Sequence, residues 1–92
     1  MALAIQPDST DARYNFALAL KAAGYATDAV NELNKVVAAS PKEARAHLAL
    51  GNLCAKEMSD TAQARAHYLK VLELDPRNQQ ANDIRLWLTT NP

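Results

Sequence analysis

Val36-Val37-Ala38-Ala39-Ser40-Pro41 and Val71-Leu72-Glu73-Leu74-Asp75-Pro76 are two versions of one phrase, an apolar stretch closed by a proline. Ala2-Leu3-Ala4-Ile5-Gln6-Pro7 is a third. The three prolines are 34 and 35 residues apart. Other offsets agree with them. Ten residues after Pro7 and Pro41 stand Ala17 and Gly51, and twelve before Pro41 and Pro76 stand Ala29 and Ala64. Different residue types recurring at matched offsets mark an internal repeat, each copy being one supersecondary unit.

The spacing inside each unit is helical. Phe16, Ala17 and Leu20 fall at i, i+1 and i+4, as do Leu50, Gly51 and Cys54. Ala29, Leu33 and Val36 fall at i, i+4 and i+7, as do Ala64, Tyr68 and Val71. Such stripes give each helix one face to bury, and nothing alternates as a strand would. Start signals stand at Ser40-Pro41-Lys42-Glu43, Asp60-Thr61-Ala62-Gln63 and Asp75-Pro76, and Gly24 suits a helix end. The pattern predicts helices over 10–22, 27–39, 43–57, 61–74 and 78–89. Turns this short make neighbouring helices antiparallel. The second unit's turn, Lys56 to Asp60, is one residue longer and has no glycine, so its geometry should differ from that at Gly24.

His47-x2-Leu50-Gly51-x2-Cys54, Ala64-x3-Tyr68 and Pro76 in one unit, and Arg13-x2-Phe16-Ala17-x2-Leu20, Ala29-x3-Leu33 and Pro41 in the other, resemble the tetratricopeptide repeat (TPR), a helix–turn–helix of about 34 residues. The resemblance implies an all-α fold, an α-solenoid of stacked antiparallel helix–turn–helix repeats with a C-terminal capping helix. On that reading Ala17 and Gly51 sit where the two helices of a unit approach closely, opposite Ala29 and Ala64. Phe16, Leu20, Leu33, Leu50 and Tyr68 fill the space around them. The family's early Trp position holds Arg13 and His47. A helical bundle is the rival, and it would gather all its helices round one core.

The units divide the chain into 1–7, 8–41, 42–76 and 77–92. Residues 2–7 fit the last turn of a preceding unit, so we expect a C-terminal piece of a longer array. The last segment departs from the pattern. Leu86 stands where Ala or Gly is expected, and Ala81, Ile84 and Leu88 carry the apolar stripe with Trp87 beside them. This reads as a rotated cap with one wet face.

Composition narrows the function. Ten Lys and Arg balance ten Asp and Glu over 92 residues, which argues against nucleic acid and against a polybasic membrane surface. Lys21, Arg45 and Lys56 are too few for an RNA-reading repeat. No apolar run approaches the roughly 18 residues of a membrane span. Nineteen alanines fill the space that aromatics, at 5%, leave, and favour helix. Cys54 has no second cysteine to pair with and lies on a buried stripe. His47 and His67 lack further ligands at metal-binding spacing, so we expect no metal, and no cofactor. We find no catalytic constellation. The cluster Lys42-Glu43-Ala44-Arg45 reads as solvated helix surface.

The resemblance implies a non-catalytic interaction scaffold that holds a partner peptide or helix on the concave inner faces of the first helices. By position, the contact residues are Tyr14, Asn15, Leu18 and Lys21, then Leu48, Ala49, Asn52 and Lys56, with Asp83 and Trp87 from the cap. A subclass of the family grips a C-terminal carboxylate with Lys and Asn, but Tyr14, Leu18 and Ala49 occupy those positions, so that mode is not expected. The alternative is an accessory or oligomerisation domain of a larger enzyme or sensor. Homo-oligomers through exposed array ends would follow from an uncovered apolar face.

Overall fold

The structure, a computed structural model, describes residues 10–91. The helical stripes become α1 (Thr10–Ala22), α2 (Ala26–Ala39), α3 (Ala44–Lys56), α4 (Thr61–Leu74) and α5 (Ala81–Thr90), with no strand among the described residues. Helix pairs α1–α2 and α3–α4 form two hairpins, α2 packs on α3, and α5 closes on α4. The apolar side chains gather in two clusters in succession. Ala17, Ala29, Leu33 and Val36 join Ala46, Ala49, Leu50 and Leu53 in the first. Cys54, Ala64, Tyr68, Val71 and Ile84 form the second. A bundle would have one core. Two in line, over 49 × 27 × 20 Å, are what stacked hairpins make.

The turns show where local sequence rules compete. Ser40 is the C-cap of α2, not the start of α3, and its carbonyl accepts from Glu43 N at 3.0 Å. Asp75 repeats this after α4, accepting from Asn78 N at 3.0 Å. Each proline is thus the second residue of a tight turn, where its fixed φ is favourable. The expected start of α5 at 78 is corrected to 81, because Asn78 is spent on this turn and its side-chain oxygen then accepts from Gln80 N at 2.8 Å. Asp60 is an N-cap as expected, its carboxylate accepting from Gln63 N at 3.2 Å.

The two inter-helix turns do differ. Gly24 takes φ +93 and Tyr25 N reaches back to Leu20 O at 2.8 Å. In the longer turn Ser59 takes the left-handed conformation, φ 51, and Asp60 N reaches Cys54 O at 2.8 Å.

Ala17, Ala29, Leu33, Leu50 and Ala64 are fully buried. Phe16 is the exception to the expected packing, being 54% exposed where its counterpart Leu50 is covered. The reason is topological. Leu50, Ala46 and Leu53 face α2, whereas Phe16, Ala12 and Ala19 lie on the corresponding face of α1, which no described helix covers. The expectation for residues 2–7 concerns that face and lies outside the described residues.

Gly51 has a partner that was not foreseen. A Cβ built there would first meet the ring of Tyr68, at 2.6 Å from Cδ1 and 2.7 Å from Cε1. Tyr68 is held from both ends. Its hydroxyl donates to Asn52 Oδ1 at 2.6 Å, and its ring meets Trp87 edge to face at 5.0 Å.

Arg45 is also more than solvated surface. It pairs with Asp11 of α1 and, at 2.7 Å, with Glu43, and its guanidinium lies 4.5 Å above the Tyr14 ring. Asp11 foremost, against desolvation, and then Glu43 raise the Arg45 pKa above its usual value. The side chain ties the first helices of the two hairpins together.

Candidate partner-binding site

α3, α4 and α5 enclose a cavity of about 190 Å³ lined by Asn52, Lys56, Tyr68, Gln80, Asp83, Ile84 and Trp87. Each wall follows from a local cause. The α3 stripe that buries Cys54 leaves Asn52 and Lys56, one turn apart, on its neighbouring face. Tyr68 enters because Gly51 gives its ring room. The rotated stripe of α5 buries Ala81 and Ile84 and carries Asp83 and Trp87 to the mouth. Tyr68 and Ile84 are buried and make the floor, Trp87 is half-buried, and Lys56, Gln80 and Asp83 are exposed at the rim.

An apolar floor with a few polar groups round it is the usual build of a side-chain-sized site. A cavity of about 150 Å³ holds a benzene ring, so one apolar side chain fits this one. The rim carries one cation, one carboxylate and two amides, which suits a peptide backbone or a residue of either charge better than a polyanion. Burial, and behind it Cys54, push the Tyr68 hydroxyl above its ordinary pKa, so it stays a donor to Asn52. Burial and then Asp60 likewise raise the Cys54 thiol, which keeps it protonated and apolar in character.

Of the ten residues placed on the inner face, the structure brings Asn52, Lys56, Asp83 and Trp87 into this cavity. Tyr14 and Leu18 pack against the first core and Leu48 against the second. Ala49 is inside the first core at 7% exposure. Asn15 and Lys21 are exposed on α1, away from the cavity. Tyr68, Gln80 and Ile84 were not foreseen as lining. The first and last read as core, which they also are. Gln80 falls inside a helix if α5 starts at 78, and reaches the rim only because that helix starts later.

Residues 44–78, which hold α3, α4 and the turn after them, match the family model of the tetratricopeptide repeat. That stretch is a tetratricopeptide repeat. TPR units generally mediate protein–protein interaction and are typically non-catalytic scaffolds. The α1–α2 hairpin shows the same close-packed small residue and the same proline turn one repeat length earlier. No curated protein sequence matches the chain. No described helix is long and apolar enough to cross a membrane.

Proposed function

We propose that this TPR chain is a non-catalytic scaffold that binds a peptide or helix of a partner protein on its inner face, seating one apolar side chain in the α3–α4–α5 cavity. The supporting observation is the cavity itself, with Tyr68 and Ile84 below and Trp87, Lys56, Gln80 and Asp83 round the mouth. Asn15 and Lys21 extend the same face along α1 and offer polar contacts to the flanking chain. Tyr14 and Leu18 support the first core, so substituting them would confuse binding with folding. The division into repeats at 8–41 and 42–76 with a cap at 77–92 belongs to this reading.

Trp87 is the sole tryptophan, so its fluorescence reports occupancy directly. Peptides selected against the chain from a random library should shift its emission. Lys56→Glu with Asp83→Lys should weaken their binding at least about tenfold, on the scale of a lost charged contact at an interface, with helicity unchanged. Selected peptides that bind both proteins equally and leave the emission unmoved would reject the cavity.

Self-association is the second reading, favoured by the open Phe16 face. Sedimentation equilibrium separates the two, since a chain that stays monomeric at high concentration has no such interface.

A further inference from the structure

His47 and His67 come together in a way their 20-residue separation hides. His47 Nδ1 lies 3.1 Å from His67 Nδ1, and His47 Nε2 lies 2.9 Å from the Pro41 carbonyl oxygen. The rings are 5.3 Å apart, tilted by 35°. The hydrogen placement follows from chemistry. A carbonyl only accepts, so His47 Nε2 carries a hydrogen. A neutral ring has one N–H, so His47 Nδ1 is bare and accepts from the Nδ1–H of His67. The pair thus ties three elements: the α2–α3 turn, the first turns of α3 and the middle of α4.

The repeat offset gives this contact its meaning. Shifted back by 34 and 35 residues, His47 and His67 fall on Arg13 and Glu32, and those form an ion pair at 3.2 Å in the first hairpin. One position pair is therefore filled by opposite charges in one unit and by two proton acceptors in the next. We propose that the His47–His67 pair is a proton-operated latch, closed while the pair is neutral or singly charged and opened when both rings are charged.

A first added proton fills His67 Nε2 and leaves one hydrogen shared between the two Nδ1 atoms, so the bond stays in place. A second leaves an N–H on each of the two facing Nδ1 atoms. Two N–H groups then face each other with like charge, and the bond is lost. Because the sites interact, the protons enter in two separate steps. Charged side chains on the elements round the pair are Asp28, Glu32 and Lys35 on α2, Lys42 and Glu43 in the turn, Arg45 and Lys56 on α3, and Arg65, Lys70 and Glu73 on α4. Glu32, Lys35, Glu43, Arg45 and Lys70 are engaged in ion pairs of their own, and the charge that acts on His67 is His47.

Burial first, and then His47, hold His67 below its ordinary value of 6.5. As pH falls, the unfolded chain therefore takes up protons before the folded one. The stability tied to the neutral pair is complete above about pH 6.5, and is lost as pH falls through the lower folded value.

The two histidines are the only ones in the chain, so the window from about pH 7.5 to about pH 5 isolates them. Wild-type Tm should fall measurably across it. The double variant H47R/H67E, which transplants the ion pair of the first hairpin, should lose most of that dependence. A variant with the wild-type dependence would overturn the latch. Nitrogen-15 NMR of the wild-type imidazoles tests it without mutation. Two titration steps, with His67 as the Nδ1–H tautomer and His47 as Nε2–H at pH 7.5, support it. A single shared step near 6.5 with both rings as Nε2–H contradicts it.

Discussion

Gly51 and Tyr68 are one decision made at two positions. In the first hairpin the matching pair is Ala17 and Leu33, both fully buried. A leucine leaves room for the alanine methyl. The tyrosine ring does not, and it cannot swing aside while Asn52 holds its hydroxyl and Trp87 its edge. Gly51→Ala removes a helix penalty of about 1 kcal/mol but overpacks a site that costs about 1–3 kcal/mol, so it should destabilise on balance. In the double variant G51A/Y68L, the pair borrowed from the first hairpin, the alanine should be tolerated far better. Denaturant unfolding of the four proteins in the cycle should give a coupling above about 1 kcal/mol. Additive effects would mean that the two side chains do not meet. The same register accounts for Arg13–Glu32 beside His47–His67, where compensation took a chemical form instead of a steric one.

At the scale of the element, the helices were legible and their junctions less so. Stripes such as Ala29–Leu33–Val36 and Ala64–Tyr68–Val71 name a face, and a face of that length can only be a helix, so α1 and α4 end where the spacing puts them. Junctions depend on which of two local hydrogen bonds wins. Ser40-Pro41-Lys42-Glu43 has the composition of a capping box, yet its backbone closes a turn after α2, and Asp75-Pro76 does the same before α5. The inner-face residues show the other limit. Helical position separates inner from outer faces, but the angle between hairpins decides whether Ala49 is wall or core, and no single helix carries that angle.

Where the sequence has no glycine, the second hairpin still adopts a left-handed residue at Ser59. A side chain in that region costs roughly 1–2 kcal/mol that glycine escapes. Ser59→Gly should therefore stabilise the chain by about 0.5–1 kcal/mol, after the added freedom of the unfolded state is set against the relief. A Tm rise of a few degrees would show it. A fall would mean that the Ser59 side chain supports the turn.

Across the whole molecule, the consequence of repetition is that contacts stay between neighbours. The first core ends at α3 and the second begins there, so α3 is the one helix that serves both, and it also supplies Asn52 and Lys56 to the cavity. The proposed partner site, the proposed histidine latch and the packing of the two hairpins thus all involve this element. The cap matters to the proposed site for the same reason. By rotating its stripe, α5 buries Ile84 against α4 and leaves Trp87 at the cavity. The helices form two like hairpins in line, each closed round a small residue, Ala17 or Gly51. Proton–proton NOEs of the labelled chain test this arrangement most directly. Contacts are expected from Gly51 Hα to the Tyr68 ring and from the Ala17 methyl to Leu33, with none from Ala17 to Val71 or Ile84. An Ala17 methyl in contact with Val71 or Ile84 would place all the helices round one core and contradict it.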